Sequence, residues 1–376
     1  MTSLLGGMSP ARFLREHWQK KPLLVRQAIP GFGGLLDRDA LLGLATRRDA
    51  ISKLVVHHAR RRQRWERHDG PFGALDASML PPREWTLLVH GIESLVRGGW
   101  ELLRHFDFIP RARVDDLMVS YAAEGGTVGP HDDRYDVFLL QGPGLRRWQV
   151  ARRYDHAPDP AASIRVLHPF EPEDEWVLGP GDMLYLPPGV AHHGVAETPC
   201  FTYSIGFLAP SQAQLVESFL GWLGHTLPLA EDALYTDPDR RVAKDALGLD
   251  RGMLGFLDRA TRAIEWTPRQ LEDFLGCYLT RPRPHTVFAV PPRPSTEAAF
   301  SARLRKKGRL ELALPTRGLH ERGRIFVNGQ AHALDGASHA VLLPLLRDRV
   351  LALPVTGALD ELLYGFYLEG WVVFAR

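Results

Sequence analysis

The run Glu124-Gly125-Gly126-Thr127-Val128-Gly129-Pro130-His131-Asp132-Asp133-Arg134-Tyr135-Asp136-Val137-Phe138-Leu139-Leu140 decides how this chain is read. Its first half is a glycine-rich turn, which lets backbone approach a site closely. Its second half reads as a strand that runs on from the His-x-Asp triplet. Residues i and i+2 share a face on a strand, so His131, Asp133 and Tyr135 point one way and Asp132 the other. Two metal-binding side chains on one face are half of a recognisable ligand set.

The other half lies downstream. Trp176-Val177-Leu178 leads into Gly179-Pro180-Gly181-Asp182, a tight turn. Met183-Leu184-Tyr185-Leu186 reads as a strand, and Pro187-Pro188-Gly189 as a rigid turn presenting His192. His131, Asp133 and His192 together make a two-histidine, one-carboxylate set. Such a set fills one face of an octahedral Fe(II) and leaves positions for a cosubstrate and dioxygen. His193, the next residue along, is expected to face elsewhere. Short strands, glycine turns and a late histidine predict a double-stranded β-helix, a relative of the jelly roll.

A His-x-Asp triplet alone arises by chance in many proteins. Here it is joined by the Gly181-Asp182-x-Leu184-Tyr185-x-Pro187-Pro188-Gly189-x-x-His192 frame and by a cation. Arg146 opens a strand after the Gly142-Pro143-Gly144 turn. A guanidinium there can hold the distal carboxylate of a dicarboxylate cosubstrate by a fork-like pair. The alternative is that Arg146, like Arg147, is a solvated hairpin arginine. Ser120 and Tyr203 are read as neighbours of that cosubstrate.

Outward from this core, 376 residues suggest about two to three domains at roughly 150 residues each. The chain is 45% apolar and 24% charged, ordinary globular composition. A net charge of +2 demands no nucleic-acid partner. The two cysteines, Cys200 and Cys277, form no framework and fit a reducing, cytoplasmic compartment. Met1 to Pro10 reads as no signal peptide, and no stretch approaches the ~20 apolar residues of a membrane span.

Along the chain, residues 9–18 read as a helix with Ser9 as cap and Pro10 at its first position. Residues 21–26 and 53–57 read as strands, and 39–48 and 83–104 as helices. The basic run Arg60, Arg61, Arg62, Arg64, Arg67 is a solvated hairpin tip or a docking patch for an RNA-rich or acidic partner. Residues 110–209 form the β-rich core, within a first domain spanning 1–209. Helices at 214–223, 252–264 and 268–279 make up a helical domain over 210–285, whose apolar stripes must be buried against something. After a proline-rich connector, 290–376 reads as a mixed domain. Its hairpin turns at Asn328-Gly329, with helices at 337–347 and 358–368 and a strand at 371–374. Helices with a terminal hairpin suggest a winged helix. It lacks a dense basic recognition helix, so it reads as a protein-interaction or substrate-docking module without sequence-specific nucleic-acid binding.

The chain resembles the JmjC-type 2-oxoglutarate oxygenases, and among them the bacterial ribosomal oxygenases. The resemblance rests on Phe13-Leu14-Arg15-Glu16-His17-Trp18-Gln19-Lys20-Lys21-Pro22, on Asp115-Asp116-Leu117-Met118-Val119-Ser120 and on Gly129-Pro130-His131-x-Asp133-x-Tyr135-Asp136. It extends through Gln141-Gly142-x-Gly144-x-Arg146-Arg147-Trp148, Tyr203-Ser204-Ile205-Gly206-Phe207 and Tyr235-Thr236-Asp237-Pro238-Asp239. It implies an α+β protein with a cupin-like JmjC core, a helical dimerisation domain making a homodimer, and a C-terminal winged helix. It also implies Fe(II), with 2-oxoglutarate and dioxygen as cosubstrates. The implied substrate is an arginine-bearing loop of large-subunit ribosomal protein sixteen, hydroxylated at the arginine β-carbon. The family places equivalents of Asp116, Met118, Tyr135 and Ser204 around that arginine. Asp116, Met118 and Ser120 alternate along one strand face, which suits the role. Asp116 as a solvated strand-end residue and Tyr135 as core packing remain the alternative. At the level of function, the alternatives are a same-fold oxygenase acting on a histidine of another ribosomal protein, or a non-catalytic cupin-type binding protein.

Overall fold

The computed structural model describes residues 4–58, 65–73, 80–160, 162, 164–226, 234–243, 245–355 and 357–375. Arg60, Arg61, Arg62 and Arg64 lie outside the described residues, so the basic run is represented only by Arg67, which is exposed and bonded to Asp69.

Helix α1 (Pro10–Glu16) starts where the Ser9 hydroxyl accepts from the Arg12 N–H, and α2 (Arg38–Ala45) where Asp37 does the same for Ala40. The core strands are β1 (Leu23–Val25), β2 (Ile51–His57), β3 (Trp65–Asp69), β4 (Trp85–His90), β5 (Val114–Ala122), β6 (His131–Asp132), β7 (Asp136–Gln141), β8 (Arg146–Ala151), β9 (Asp174–Leu178), β10 (Met183–Leu186), β11 (Ala191–Ala196) and β12 (Cys200–Phe207). They form an eight-stranded sheet in the order β1-β10-β7-β12-β5-β4-β2-β3 and a four-stranded sheet in the order β6-β11-β8-β9. Every pairing in both is antiparallel. This is the expected jelly-roll core.

The larger sheet is buried on both sides where it matters. Its outer face carries Leu87, Val89, Leu117, Val119, Phe138, Leu140, Tyr185, Tyr203, Ile205 and Phe207, packed under Phe13 of α1 and Leu41 of α2. Its inner face carries Val137, Leu139, Leu184 and Leu186 against Trp148, Val150 and Leu178 of the smaller sheet. Sheets buried on both faces lose the apolar–polar alternation that marks a solvated sheet. This explains one failed expectation. Residues 83–104 are not one helix: Trp85–His90 is β4, followed by the short helices α3 (Ile92–Leu95) and α4 (Arg97–Leu103). The apolar residues of β4 look helical in sequence because Leu87 packs outward and Leu88 inward.

A second correction concerns the opening motif. The strand does not run on from His131 through Leu140. It stops at Asp132, and Asp133 to Tyr135 carry the chain from the smaller sheet to the larger one, where β7 begins at Asp136. Period-two logic therefore cannot place Tyr135 beside His131; the crossover does.

C-terminal to the core come α5 (Gln212–Thr226), α6 (Arg251–Arg262) and α7 (Pro268–Thr280), the last with a capping box between Thr267 and Gln270. Next are α8 (Glu297–Leu304), β13 (Gly308–Leu312), β14 (Gly318–Glu321), β15 (Arg324–Val327), β16 (Gln330–Ala333), α9 (Gly336–Asp348), β17 (Val350–Leu353), α10 (Asp360–Leu368) and β18 (Val372–Phe374). The expected hairpin is present. Asn328 (φ 49°) and Gly329 (φ 87°) both take the left-handed conformation that such a turn requires. Phe300, Leu304, Leu310, Ile325, Leu342, Leu363 and Val372 build this region's own core. Among the described residues no helix is long and apolar enough to cross a membrane.

Candidate active site

The two sheets enclose a cavity of about 180 Å³. From the larger sheet it is lined by Lys53 of β2, Thr86, Leu88 and His90 of β4, Met118 and Ser120 of β5, Val137 and Leu139 of β7, and Thr202 and Ser204 of β12. On each strand these are alternate residues, the inward half of the pleat. The smaller sheet contributes His131, Arg146, Trp148 and His192, and the crossover contributes Asp133 and Tyr135.

His131 and His192 are direct cross-strand partners on β6 and β11, with ring centroids 4.3 Å apart. Each uses Nδ1 on the backbone carbonyl two residues earlier: His131 on Gly129 at 2.8 Å and His192 on Val190 at 3.1 Å. A carbonyl only accepts, so both Nδ1 atoms carry the proton and both Nε2 lone pairs are free. The Asp133 carboxylate lies 3.8 Å from His192 Nε2, and one donor atom from each of the three residues falls within 4.8 Å of the others. Burial, reinforced by the nearby His131, pushes the His192 pKa down to about 4, so its imidazole is neutral at physiological pH and can ligate. The turn before His131 must also be tight. Gly129 has φ 82°, and a Cβ there would come within 2.2 Å of Val166. His193 behaves as expected: it turns away, with Nε2 3.0 Å from Thr127 Oγ1 and its ring edge-on to Phe170.

Arg146 is not a solvated hairpin residue. It is 3% exposed, its guanidinium stacks 4.9 Å over Trp148, and its neighbours are neutral: Ser120 Oγ at 3.5 Å, Thr202 Oγ1 at 3.3 Å and the Gly194 carbonyl at 3.3 Å. Its Nε is buried and has no hydrogen-bond partner among the described residues. Burial pulls its pKa down, because a desolvated cation lacks a counter-charge. Gly194 makes room for it: a Cβ there would stand 2.6 Å from Arg146 Nε. A buried, uncompensated guanidinium facing a cavity is completed by an incoming carboxylate.

The structure brings together nearly all the residues singled out from sequence. Met118, Ser120, Tyr135 and Ser204 line the cavity beside the three candidate ligands. Burial first, then the charges of Asp133 and Asp116, push the Tyr135 phenol up, so it stays a neutral donor. Tyr203 is a correction. It sits on the outer face of β12, and its hydroxyl accepts from the Leu35 N–H at 2.7 Å, so it does not reach the cavity. The adjacent Thr202 takes the place beside Arg146 instead. Asp116 stands behind the lining: its Oδ2 accepts from His90 Nδ1 at 2.9 Å. Lys53, Thr86, Leu88, His90 and Thr202 were missed. The period-two signal on β12 could have given Thr202, and recognising β4 as a strand would have given Thr86, Leu88 and His90.

The donor set suits a hard-to-borderline divalent ion such as Fe(II): two imidazole nitrogens and a carboxylate on one side, with the cavity on the other. Residues 101–215 match the JmjC domain family, and residues 263–371 the ROXA-like winged helix family. The chain is 34% identical over 289 residues to the ribosomal protein uL16 3-hydroxylase of Escherichia coli (strain K12), an alignment spanning 75% of this chain and 74% of that protein. It is 38% identical over 245 residues to a probable ribosomal oxygenase of Haemophilus influenzae, covering 64% of this chain and 57% of the relative. The structure of the Escherichia coli ribosomal oxygenase YcfD in complex with cobalt and 2-oxoglutarate superposes with a TM-score of 0.79 at 28% identity. That superposition covers 98% of this chain and 99% of that one. Shared sequence over three quarters of the length, and shared architecture over nearly all of it, mean that the chain belongs to the JmjC-type bacterial ribosomal oxygenases.

Proposed function

We propose that this protein hydroxylates an arginine side chain of ribosomal protein uL16 at its β-carbon, using Fe(II), 2-oxoglutarate and dioxygen. The observation that carries the chemistry is the uncompensated Arg146 guanidinium buried on the same cavity as His131, Asp133 and His192. When bound, Fe(II) and 2-oxoglutarate supply the dioxygen activation that oxidises an unactivated C–H bond. The chain's own residues do the rest. His131 and His192 present Nε2 and Asp133 an oxygen to hold the metal. Arg146, with Ser120 and Thr202, takes the distal carboxylate of the cosubstrate. Val137, Leu139 and Trp148 keep that side dry, which strengthens the charge pair. Met118 packs along the aliphatic stem of the substrate arginine, while Tyr135, Ser204 and Asp116 surround its guanidinium.

The test is mass analysis of a peptide from the target loop after incubation with protein, Fe(II) and 2-oxoglutarate. The expected result is addition of one oxygen atom to the arginine residue, and none when arginine is replaced by lysine. A compact ammonium cannot copy the planar donor fork. Equal hydroxylation of the lysine peptide, or preference for a histidine peptide, contradicts the assignment.

The catalytic domain is read as residues 1–209, the helical domain as 210–285 and the winged-helix domain as 290–376, the last serving to dock substrate. The helical domain is read as a dimer interface. Val216 and Leu220 of α5, Met253, Leu254 and Leu257 of α6, and Leu271 and Leu275 of α7 are all more than 40% exposed. Exposed apolar side chains on all three helices support burial of this region against a second copy. Sedimentation is expected to give a dimer at micromolar concentration, and Leu257→Glu a monomer. A wild-type monomer contradicts the interface. The free, buried Cys200 and Cys277 suit a reducing cytoplasm, where ribosomal substrates are found.

A further inference from the structure

Three carboxylates crowd the point where the substrate wall begins. Glu93 follows β4, and Asp115 and Asp116 open β5, the strand that carries Met118 and Ser120 into the cavity. Between them lies Arg283, which comes from the proline-rich connector after α7, far away in sequence. Its guanidinium donates to the Asp115 backbone carbonyl and stands 3.6 Å from Glu93, 3.8 Å from the Asp115 carboxylate and 3.9 Å from Asp116 Oδ2. Glu93 in turn accepts from the Leu117 N–H at 3.0 Å. Arg317, from the winged-helix region, donates to the Val114 carbonyl at 3.0 Å. The start of β5 is therefore held by two arginines of the C-terminal half.

The two oxygens of Asp116 have different surroundings. Oδ2 accepts from His90 and faces Arg283. Oδ1 lies near Gly206 and the Tyr135 ring: a Cβ built on Gly206 would be 3.6 Å from both. We propose that Arg283 is a positioning residue for the substrate arginine: with His90 it clamps Asp116 by Oδ2, which leaves Oδ1, beside Tyr135, as the acceptor for the substrate guanidinium. This rests on the reading of Asp116 as a guanidinium acceptor. The clamp answers an electrostatic problem. Burial pushes Glu93 up, and burial with the neighbouring Asp116 pushes Asp115 up. Asp116, with burial opposing but the His90 bond and the Arg283 charge outweighing it, is held below the ordinary carboxylate range. Without Arg283, three half-buried carboxylates would keep only the His90 imidazole and the more distant Arg317 guanidinium for company, and crowded like charges take up protons. A guanidinium substrate would then meet a neutral, poorly oriented acid. Gly91 leaves the space: a Cβ there would lie 3.1 Å from Arg283.

The test compares full-length wild type with Arg283→Gln, Arg283→Lys and, as a control on the same connector, the exposed Arg281→Gln. Peptide KM and kcat are measured together with the KM for 2-oxoglutarate. The expected result is a peptide KM raised roughly tenfold or more in Arg283→Gln, the loss typical of a charge-assisted contact. The 2-oxoglutarate KM should be unchanged, Arg283→Lys should recover part of the loss, and Arg281→Gln should match wild type. An unchanged peptide KM in Arg283→Gln overturns the proposal. So does a fall in kcat alone, or an equal loss in both Arg283 variants with the 2-oxoglutarate KM moving too, which is the mark of a merely structural role. If wild type hydroxylates no arginine peptide, the reading of the site fails as well; if wild type acts and Arg283→Gln matches it, only this inference fails.

Discussion

Replacing His192 with alanine is expected to abolish 2-oxoglutarate turnover, while replacing His193 leaves most of it. The two residues are adjacent, equally basic in composition terms and both largely buried, so the contrast isolates geometry. His192 is paired across the sheet with His131 and has its Nδ1 held by the Val190 carbonyl, so Nε2 is aimed at the same point as His131 Nε2 and the Asp133 carboxylate. His193 faces the opposite side and contacts Thr127. Disturbing residues that merely orient ligands typically lowers metal affinity roughly 10–100-fold, so losing a ligand should cost more than that. The measurement is succinate formed per minute at saturating iron, alongside equilibrium binding of Mn(II) as a redox-inert probe. His193→Ala abolishing turnover while His192→Ala retains it would reverse the ligand assignment.

Arg146→Ala is expected to raise the 2-oxoglutarate requirement by roughly ten- to hundredfold, from a charge-assisted pair of ~1.5–3 kcal/mol. Mn(II) binding should change little, because Arg146 reaches Ser120, Thr202 and Gly194 rather than the three candidate ligands. Arg146→Lys should recover only part of the loss, since an ammonium cannot offer the fork or the stack on Trp148. The direction is informative because removing Arg146 also removes an uncompensated buried cation. The variant should be at least as stable as wild type without cosubstrate and gain less from its addition. An unchanged 2-oxoglutarate requirement would move the anchor elsewhere.

Much of this site was legible because its signals are local. His131 and Asp133 stand two residues apart, His192 follows its own proline–glycine turn, and Arg146 opens the strand after Gly142-Pro143-Gly144. Helix starts at Ser9 and Thr267 were readable for the same reason: a capping side chain acts within one turn. What failed depended on which face of a sheet is buried. All eight residues of β12 are buried, so polarity against solvent does not sort its faces; only the alternation of Cys200, Thr202, Ser204 and Gly206 with the larger Phe201, Tyr203, Ile205 and Phe207 turns Tyr203 outward and Thr202 in beside Ser204. β4 hid behind the same effect. The break after Asp132 was invisible because Asp133 to Tyr135 are compatible with a strand until a second sheet claims Asp136. Asp116 was found as a candidate, but its clamp was not: His90 and Arg283 are brought to it by tertiary structure alone.

The most direct test of the central claim is intact-mass and fragment-ion analysis of ribosomal proteins from cells with and without this gene. The expected result is a uL16 heavier by one oxygen atom only when the gene is present, with the added mass on an arginine residue. An identical uL16 in both, with the extra oxygen on another ribosomal protein or on a histidine, would contradict it.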